Sequence, residues 1–209
     1  MNLTDAHQIK TVEELEARYR KPGDHVKKAT LDFLHDFHIE YLKLARIVCI
    51  GSGADEGYDV SPRGGEQGFV RILDRRTLAI PDFPGNNKLE TLHNLVRDER
   101  VALLFLFPGL DIFLRISGSA RVTQDPALLQ QLTCEGKLPI TAIVVAIAAV
   151  YFHCGRAINR SHMWDAATHV SRESLPSPGA MMKVLAQIGE TSTQELDEMY
   201  KKGMVEDLY

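Results

Sequence analysis

The chain has no excess of positive charge and little cysteine, which excludes several classes of protein. Its 209 residues carry 24 Lys and Arg against 28 Asp and Glu, so nothing points to a long polyanion such as DNA. Cys49, Cys134 and Cys154 have no disulfide-framework spacing, which favours a reduced intracellular compartment. We therefore expect a cytoplasmic protein, and a local basic pocket for one phosphate is compatible with this composition.

The chain also lacks a long apolar run. The longest is Ile140–Phe152, interrupted only by Thr141, and it is shorter than the ~18 residues expected of a membrane span. The N-terminal residues MNLTDAHQIK are polar and lack the apolar core of a signal peptide. These absences predict a soluble protein with no membrane partner.

Short apolar segments separated by turns occupy the middle of the chain. A single helix, Leu89–Val96, is inserted after the fourth of them, which favours a barrel over a Rossmann sheet with its regular strand–helix alternation. No G-x-G-x-x-G or P-loop sequence is present. The predicted strands are Ile47–Ser52, Tyr58–Ser61, Gly68–Leu73, Thr77–Ile80, Val101–Phe107, Phe113–Val122 and Ile140–Ala146.

Helices are predicted on both sides of this region, so the fold class is mainly β with flanking helices (α+β). Thr11–Lys21 begins with a capping threonine, and Ala29–Leu44 has apolar residues every three or four positions. Ala180–Ile188 and Thr193–Lys202 are predicted helices of the tail. The predicted domains are a helical segment packed on the barrel (1–45), the barrel (46–173) and a helical tail (174–209).

The first candidate ligand-binding stretch is Ser61–Gly65, which we expect in a loop between two strands. Its two glycines let the backbone approach a ligand closely. Arg63 supplies a planar guanidinium that suits a phosphate. A hairpin loop with an exposed arginine explains the same composition.

The second candidate stretch, Ile80–Lys88, contains the end of a strand, a rigid loop and a helix start. Asn86 or Asn87 is a good helix cap, and free backbone N–H groups at a helix start favour an anion. Lys88 puts a cation in the first helical turn, which is unfavourable for the helix, and an anionic ligand would relieve that conflict. A capped helix with a solvated lysine is the alternative interpretation.

The third candidate stretch is Tyr151–Asp165, where we predict that a helix following the last strand runs through Arg160. On that helix Phe152, Arg156 and Arg160 would lie along one side. With Trp164 they could line an aromatic, anionic cofactor, or they could extend over the edge of a core. No CxxC or HxxxH spacing completes a metal site, so none is predicted.

Taken in order, the segments of this chain resemble a bacterial family within the FMN-binding split-barrel group that includes pyridoxamine 5′-phosphate oxidase. The resemblance runs from about Asp32 to Asp165, and IPDFPGNN and YFHCGRAINRSHMW are its most specific parts. It implies a split β-barrel of the FMN-binding type and a homodimer with FMN in clefts between the subunits. The segments are SPRGG, GFVRILD, LAIPDFPGNNKLETLHNL, VALLFLFPG, LRISGSA and YFHCGRAINRSHMWD.

The resemblance also assigns roles to the positions that match the family's motifs. Arg63 matches the basic residue that grips the FMN phosphate, and Asn86, Asn87 and Lys88 match a Ser-Arg-Lys triplet of the true oxidases. The arginine of that triplet is here Asn87, which weakens the phosphate grip expected from its side chain.

The remaining assignments concern the flavin ring. Pro81, Asp82 and Phe83, which follow the fourth predicted strand, match the segment that runs beside the flavin ring in the family. Backbone groups of this segment would hydrogen-bond the polar edge of the ring. The helix with Arg156, Arg160 and Trp164 would approach the flavin from a subunit edge, either of the same chain or of the partner chain. The candidate cofactor-binding residues are Ser61, Pro62, Arg63, Gly64, Pro81, Asp82, Phe83, Asn86, Asn87, Lys88, Arg156, Arg160 and Trp164.

The expected function is therefore that of an FMN-binding oxidoreductase with a small-molecule substrate. The Arg-x-His segment that binds pyridoxal phosphate near the C-terminus of the oxidases has no match in KKGMVEDLY, so efficient pyridoxamine-phosphate oxidation is not expected. No catalytic acid or base can be assigned, and His153 and Arg156 are candidates for orienting substrate. A non-catalytic flavin module, a split barrel that uses haem or a deazaflavin, and a structural interaction protein are the alternatives.

Overall fold

Seven strands form one antiparallel sheet at the centre of the computed structural model, which describes residues 7–55, 57–206 and 208. The strands are β1 (Ile47–Ala54), β2 (Gly57–Gly64), β3 (Arg71–Asp74), β4 (Thr77–Asp82), β5 (Arg100–Leu106), β6 (Ile112–Thr123) and β7 (Thr141–Cys154). Their order in the sheet is β2-β1-β5-β6-β7-β4-β3, and the hydrogen bonding does not close on itself. The predicted class, a mainly β split-barrel fold with flanking helices, is confirmed.

Eight α-helices among the described residues pack on the sheet or extend from it. As predicted, one helix, α4, is inserted after the fourth strand. A short helix also follows β6, where Asp125 accepts a hydrogen bond from the Leu128 N–H at 2.8 Å. None of the described helices is long and apolar enough to cross a membrane. The helices are α1 (Val12–Glu16), α2 (Asp24–Lys28), α3 (Asp36–Leu44), α4 (Glu90–Arg97), α5 (Pro126–Gln131), α6 (Arg156–Ser161), α7 (Pro178–Leu185) and α8 (Thr193–Glu206).

The hydrophobic core lies on one face of the curved sheet, which we call the inner face. Alternate residues of a strand point to opposite faces, and the apolar members of each strand point inward. Val48 and Ile50 of β1, Ile80 of β4 and Ile143 of β7 are fully buried there, and Leu42 of α3 packs against the same cluster. In the described part of the chain, no element covers the opposite, outer face of β1, β2 and β5 in this way.

The last strand is longer than predicted, and the expected helix is correspondingly shorter. β7 continues to Cys154, so the prediction of a helix that places Phe152 beside Arg156 and Arg160 is wrong. The reason is pairing: β6 runs alongside β7 as far as the pair Ile112–Cys154. Helix α6 then holds only six residues.

The predicted helix Ala29–Leu44 is wrong over its first half. Leu31 forms an isolated β-bridge with Val150 of β7, with N–H···O distances of 3.0 and 2.7 Å, and this extended segment cannot be helical. Helix α3 therefore begins after His35, which caps it. The N-terminal helix is also shorter than predicted, although Thr11 caps it as expected, accepting from the Glu14 N–H at 3.2 Å.

Candidate ligand-binding cleft

Ten of the thirteen candidate residues line one cleft of about 310 Å³, which we call the Arg63 cleft. The end of β2, the end of β4 and the loop into α4 form its walls. The candidates in it are Ser61, Pro62, Arg63, Gly64, Pro81, Asp82, Phe83, Asn86, Asn87 and Lys88, and they are joined by Asp59, Pro84, Gly85, Leu89, Glu90, Thr91 and Leu208.

The wall from β2 is a strand, whereas the sequence predicted a loop from Pro62 onward. Residues 61–64 pair with β1, and Arg63 lies opposite Val48. Pro62 is tolerated because β2 is an edge strand, where a missing N–H costs no ladder bond. Alternation along β2 then places Asp59, Ser61 and Arg63 on the inner face, so that this face of the edge strand is polar.

Arg63 is held by three hydrogen bonds. Its Nε donates to Asp82 Oδ1 at 3.0 Å, and its Nη1 donates to Ser61 Oγ at 2.6 Å and to the Pro62 carbonyl at 3.1 Å. The side chains of Arg63 and Asp82 are 23% and 12% exposed, so this ion pair is largely shielded from water. Within the described part of the chain, Nη2 makes no hydrogen bond and keeps two N–H groups for a ligand.

The loop into α4 is a left-handed turn, and the expected asparagine cap is wrong. The cap position belongs to Leu89, whose side chain accepts no capping bond, and Asn86 Oδ1 accepts instead from the Lys88 N–H at 3.1 Å. Asn87 and Leu89 both have φ of 57°, a conformation that asparagine tolerates and leucine rarely adopts. The asparagines therefore shape the loop rather than cap the helix.

Helix α4 is seated on the sheet by polar contacts that the sequence did not reveal. Thr91 Oγ1 donates to Asp59 Oδ2 at 2.7 Å, and Asn94 Nδ2 donates to Ser52 Oγ at 3.2 Å. These bonds fix the first two turns of α4 above β1 and β2, and with them the loop that forms the cleft wall. Asp59, Ser61 and Arg63 are alternate residues of one strand and so share a face, and this spacing could have identified Asp59 as a residue of the cleft.

Both cations that line the Arg63 cleft among the described residues have an acidic partner. Lys88 Nζ lies 3.1 Å from Glu90 Oε1, and both side chains are mostly exposed, so this pair contributes little to stability. With Arg63 paired to Asp82, and with Asp59 also in the wall, two cations face three carboxylates. The cleft of a single chain is therefore not electropositive.

Arg156, Arg160 and Trp164, the remaining candidates, do not line the Arg63 cleft. Helix α6 follows the C-terminal end of β7, whereas Asp82 pairs with Thr141 at the other end of that strand. Trp164 Nε1 donates to the Leu110 carbonyl at 3.0 Å, which ties this segment to the β5–β6 loop.

A second concavity of about 800 Å³ lies on the outer face of the sheet, and we call it the outer groove. Its floor consists mainly of small residues, and at its rim Tyr58 and Val60 are 93% and 72% exposed. This apolar surface is unusual for a face open to water. The lining residues are Gly51, Ser52, Gly53, Tyr58, Asp59, Val60, Arg100, Val101, Ala102, Ser117, Gly118, Ser119, Ala146, Ile147 and Ala148.

Comparison with known proteins identifies one family. The sequence model of the family described as pyridoxamine 5′-phosphate oxidase matches residues 34–154, more than half of the chain. No curated protein matches.

Solved structures with a similar fold share little sequence with this chain. A protein of Lactobacillus delbrueckii, proposed to be a pyridoxamine 5′-phosphate oxidase, is 20% identical, with a TM-score of 0.46 over 58% of this chain and 95% of that one. HupZ of group A Streptococcus is 12% identical, with a TM-score of 0.44 over 53% and 90%. An FAD-binding protein of Mycobacterium smegmatis is 16% identical, with a TM-score of 0.41 over 59% and 99%.

Proposed function

Because this chain belongs to the pyridoxamine 5′-phosphate oxidase family, we propose that it binds a flavin, specifically FMN, and acts as an oxidoreductase on a small substrate. The observation that supports the proposal most is the convergence of ten candidate residues, drawn from β2, β4 and the loop between β4 and α4, in one cleft. The β2 residues 61–64 are separated from residues 81–88 by two loops, β3 and most of β4, and the fold brings the hydrogen-bonded Arg63 beside them.

The residues of the Arg63 cleft fit the phosphate and the ring edge of FMN. Arg63 Nη2, which has no hydrogen-bond partner among the described residues, and the exposed ammonium of Lys88 would hold the phosphate. Backbone groups of Pro81, Asp82 and Phe83 would meet the polar edge of the ring. A bound flavin would supply the two-electron redox chemistry, and the protein would supply orientation and exclusion of water. At about 310 Å³ the cleft is at the small end of ligand sites.

We propose that a second copy of the chain completes the site. Two observations support a homodimer: the single-chain cleft holds more carboxylates than cations, and the outer groove is an apolar surface without cover. A partner subunit seated on that face would bring its own α6, with Arg156, Arg160 and Trp164, towards the cleft. Those residues would then add positive charge and an aromatic surface to the flavin site.

The domain division keeps its predicted form in this proposal. Residues 46–173 would hold the flavin, 1–45 would pack on the barrel through α3, and 174–209 would form a helical tail. In the tail, α7 and α8 pack on each other, and the Gly179 N–H donates to Asp197 Oδ1 at 2.7 Å. Leu208 lies in the wall of the Arg63 cleft, which supports a role for the tail in covering the ligand.

A flavin carrier without turnover is the second candidate function. The observation that favours it is that the cleft lining among the described residues contains no histidine, cysteine or tyrosine, so no side chain there has an ordinary pKa near neutrality. The same lack of soft or imidazole ligands disfavours haem in this cleft. Steady-state oxidation of NADH or NADPH by the flavin-loaded protein, with an electron acceptor, separates the enzyme from the carrier.

The proposal is tested by titrating the protein into FMN and into riboflavin, which lacks the phosphate, and following the flavin fluorescence. Arg63→Ala should weaken FMN binding by about tenfold or more, because a charge-assisted phosphate contact is lost, and should leave riboflavin binding unchanged. Lys88→Ala should have a smaller effect, because its ammonium is exposed.

Arg76→Ala is the matched control, because Arg76 is an exposed arginine that pairs with Asp32 and does not line the cleft. Wild-type protein that quenches neither flavin contradicts the proposal. An equal loss of both flavins in Arg63→Ala contradicts the assignment of Arg63 to the phosphate.

A further inference from the structure

We propose that Asp82 is a resident counter-ion of Arg63, that the phosphate of the ligand displaces it, and that Thr141 receives the displaced carboxylate. The inference rests on the proposed function and assigns to two further residues the control of phosphate affinity. Phosphate binding at Arg63 is then an exchange in which the ligand's phosphate replaces the Asp82 carboxylate.

The first argument is the way in which Asp82 occupies Arg63. The strongest arginine–phosphate contact is bidentate, and the Nε–H and one Nη2–H of a guanidinium form such a parallel pair of donors. In this structure Asp82 Oδ1 already accepts from Arg63 Nε at 3.0 Å. A phosphate can use that pair of donors only after the carboxylate has moved away.

The second argument is charge. A phosphate monoester beside Asp82 would place two anions next to each other in a partly shielded site, with Asp59 and Glu90 close by in the same wall. Like charges at such short range repel each other strongly when water is scarce. Leaving Asp82 in place would therefore oppose the ligand, whereas moving it relieves the repulsion.

The third argument is a hydroxyl group without a partner. Thr141 Oγ1 is buried and makes no hydrogen bond to any described residue. Thr141 is the cross-strand partner of Asp82, so the two side chains point to the same face, with Cβ atoms about 5 Å apart. A buried hydroxyl without a partner costs free energy, and a carboxylate turned away from Arg63 would accept its hydrogen.

The exchange predicts opposite effects for two substitutions of nearly unchanged shape. Asp82→Asn keeps an acceptor for Arg63 Nε but removes the competing charge, so FMN should bind about tenfold more tightly. Thr141→Val removes the receiving hydroxyl, so FMN should bind several-fold more weakly while stability stays equal or rises. Riboflavin affinity should change much less than FMN affinity in either variant, because riboflavin has no phosphate to displace Asp82.

Asp32→Asn is the matched control, because it removes the carboxylate from an exposed arginine pair outside the cleft. Fluorescence titration with FMN and riboflavin gives the affinities, and urea unfolding of the same proteins gives the stabilities. The expected outcome is tighter FMN binding by Asp82→Asn and weaker binding by Thr141→Val, with neither flavin affected in Asp32→Asn.

Other outcomes overturn the inference in distinguishable ways. Wild-type protein that binds neither flavin removes the proposed function and this inference with it. If wild-type binds FMN and Asp82→Asn binds it more weakly, Asp82 orients Arg63 and does not compete with the ligand. If Asp82→Asn does not fold, Thr141→Val decides, because unchanged FMN affinity in that variant refutes the exchange.

Discussion

His38 is a buried titratable group at the junction of α3 and the sheet. Its side chain is almost inaccessible, its Nδ1 accepts from the His35 N–H at 3.1 Å, and its ring centroid lies 5.0 Å from that of Phe152. Burial lowers the pKa of His38, and the neighbouring charge of His35 lowers it further. The folded protein therefore favours the neutral imidazole.

We predict that His38 makes the protein less stable in mild acid. Its pKa is near the ordinary value of about 6.5 in the unfolded chain and lower in the folded one, so the unfolded chain binds more protons in this range. The stabilisation that neutral His38 provides is complete at pH values above the pKa of the unfolded chain. It is lost as the pH falls through the lower pKa of the folded protein. His38→Gln keeps a hydrogen-bond acceptor at this capping position and cannot titrate.

Urea unfolding at a series of pH values between about 7 and 5 tests this prediction. The loss of stability with falling pH should be smaller in His38→Gln than in wild type. Equal losses in the two proteins would show that His38 is not responsible for the acid sensitivity.

The sequence could identify Arg63 but not its partner. A lone arginine beside glycines near a strand end indicates an anion site, whereas the Arg63–Asp82 ion pair joins β2 and β4, which are not neighbours in the sheet. That contact depends on how the sheet curves, which local pattern does not reveal. Asp82 was expected to offer its backbone to the ligand, and its carboxylate proves to hold the arginine.

At the scale of the elements, the pairing of β6 with β7 is the main constraint on the sheet. The register shifts between Ser117 and Gly118, and a Cβ built on Gly118 would lie only 1.9 Å from the Ala146 carbonyl oxygen. The two strands approach too closely there for any side chain. This position therefore requires glycine for steric reasons.

We predict that Gly118→Ala destabilises the protein by about 3 kcal/mol, because the backbone of one strand must move. Gly189→Ala is the control, since no heavy atom lies within 4 Å of a Cβ placed there, and it should change stability by less than about 0.5 kcal/mol. The free energy of unfolding in urea measures both. Equal stabilities for the two variants would show that the sheet adapts at Gly118.

The boundaries of an element were predictable where the spacing of apolar residues and the turn residues on either side agreed, as for β5. They were not predictable where long-range pairing decided the conformation. The segment 147–154 consists mostly of apolar and aromatic residues and suits a buried helix or a buried strand equally well. The neighbouring β6 selects the strand. Likewise the pairing of Leu31 with Val150 overrides a good helical pattern.

At the scale of the whole molecule, the outer groove is the feature that the single chain leaves unexplained. Ala102 is an exposed residue of β5 that lies between Gly51 of β1 and Ser117 of β6 in the groove floor. Small side chains there allow a second sheet surface to approach closely. This arrangement supports the proposed homodimer, whose interface would then lie next to β2, the strand that carries Arg63.

We predict that Ala102→Arg gives a folded monomer with weaker FMN binding. The new side chain points outward and leaves the core intact, but it puts a charge in the proposed interface. Light scattering should report a dimer for wild type and a monomer for the variant, and FMN titration should show the loss of affinity. Ala17→Arg, at an exposed position after α1, should stay dimeric, and a monomeric wild type would contradict the interface.

The most direct test of flavin binding is the visible absorption spectrum of the purified protein, recorded again after denaturation and after addition of FMN. We predict that the purified protein shows a flavin absorption spectrum and releases FMN on denaturation. If it is purified without flavin, the bound-flavin spectrum should appear when FMN is added. A colourless protein whose spectrum and fluorescence titration show no interaction with FMN would contradict the assignment of the Arg63 cleft to a flavin.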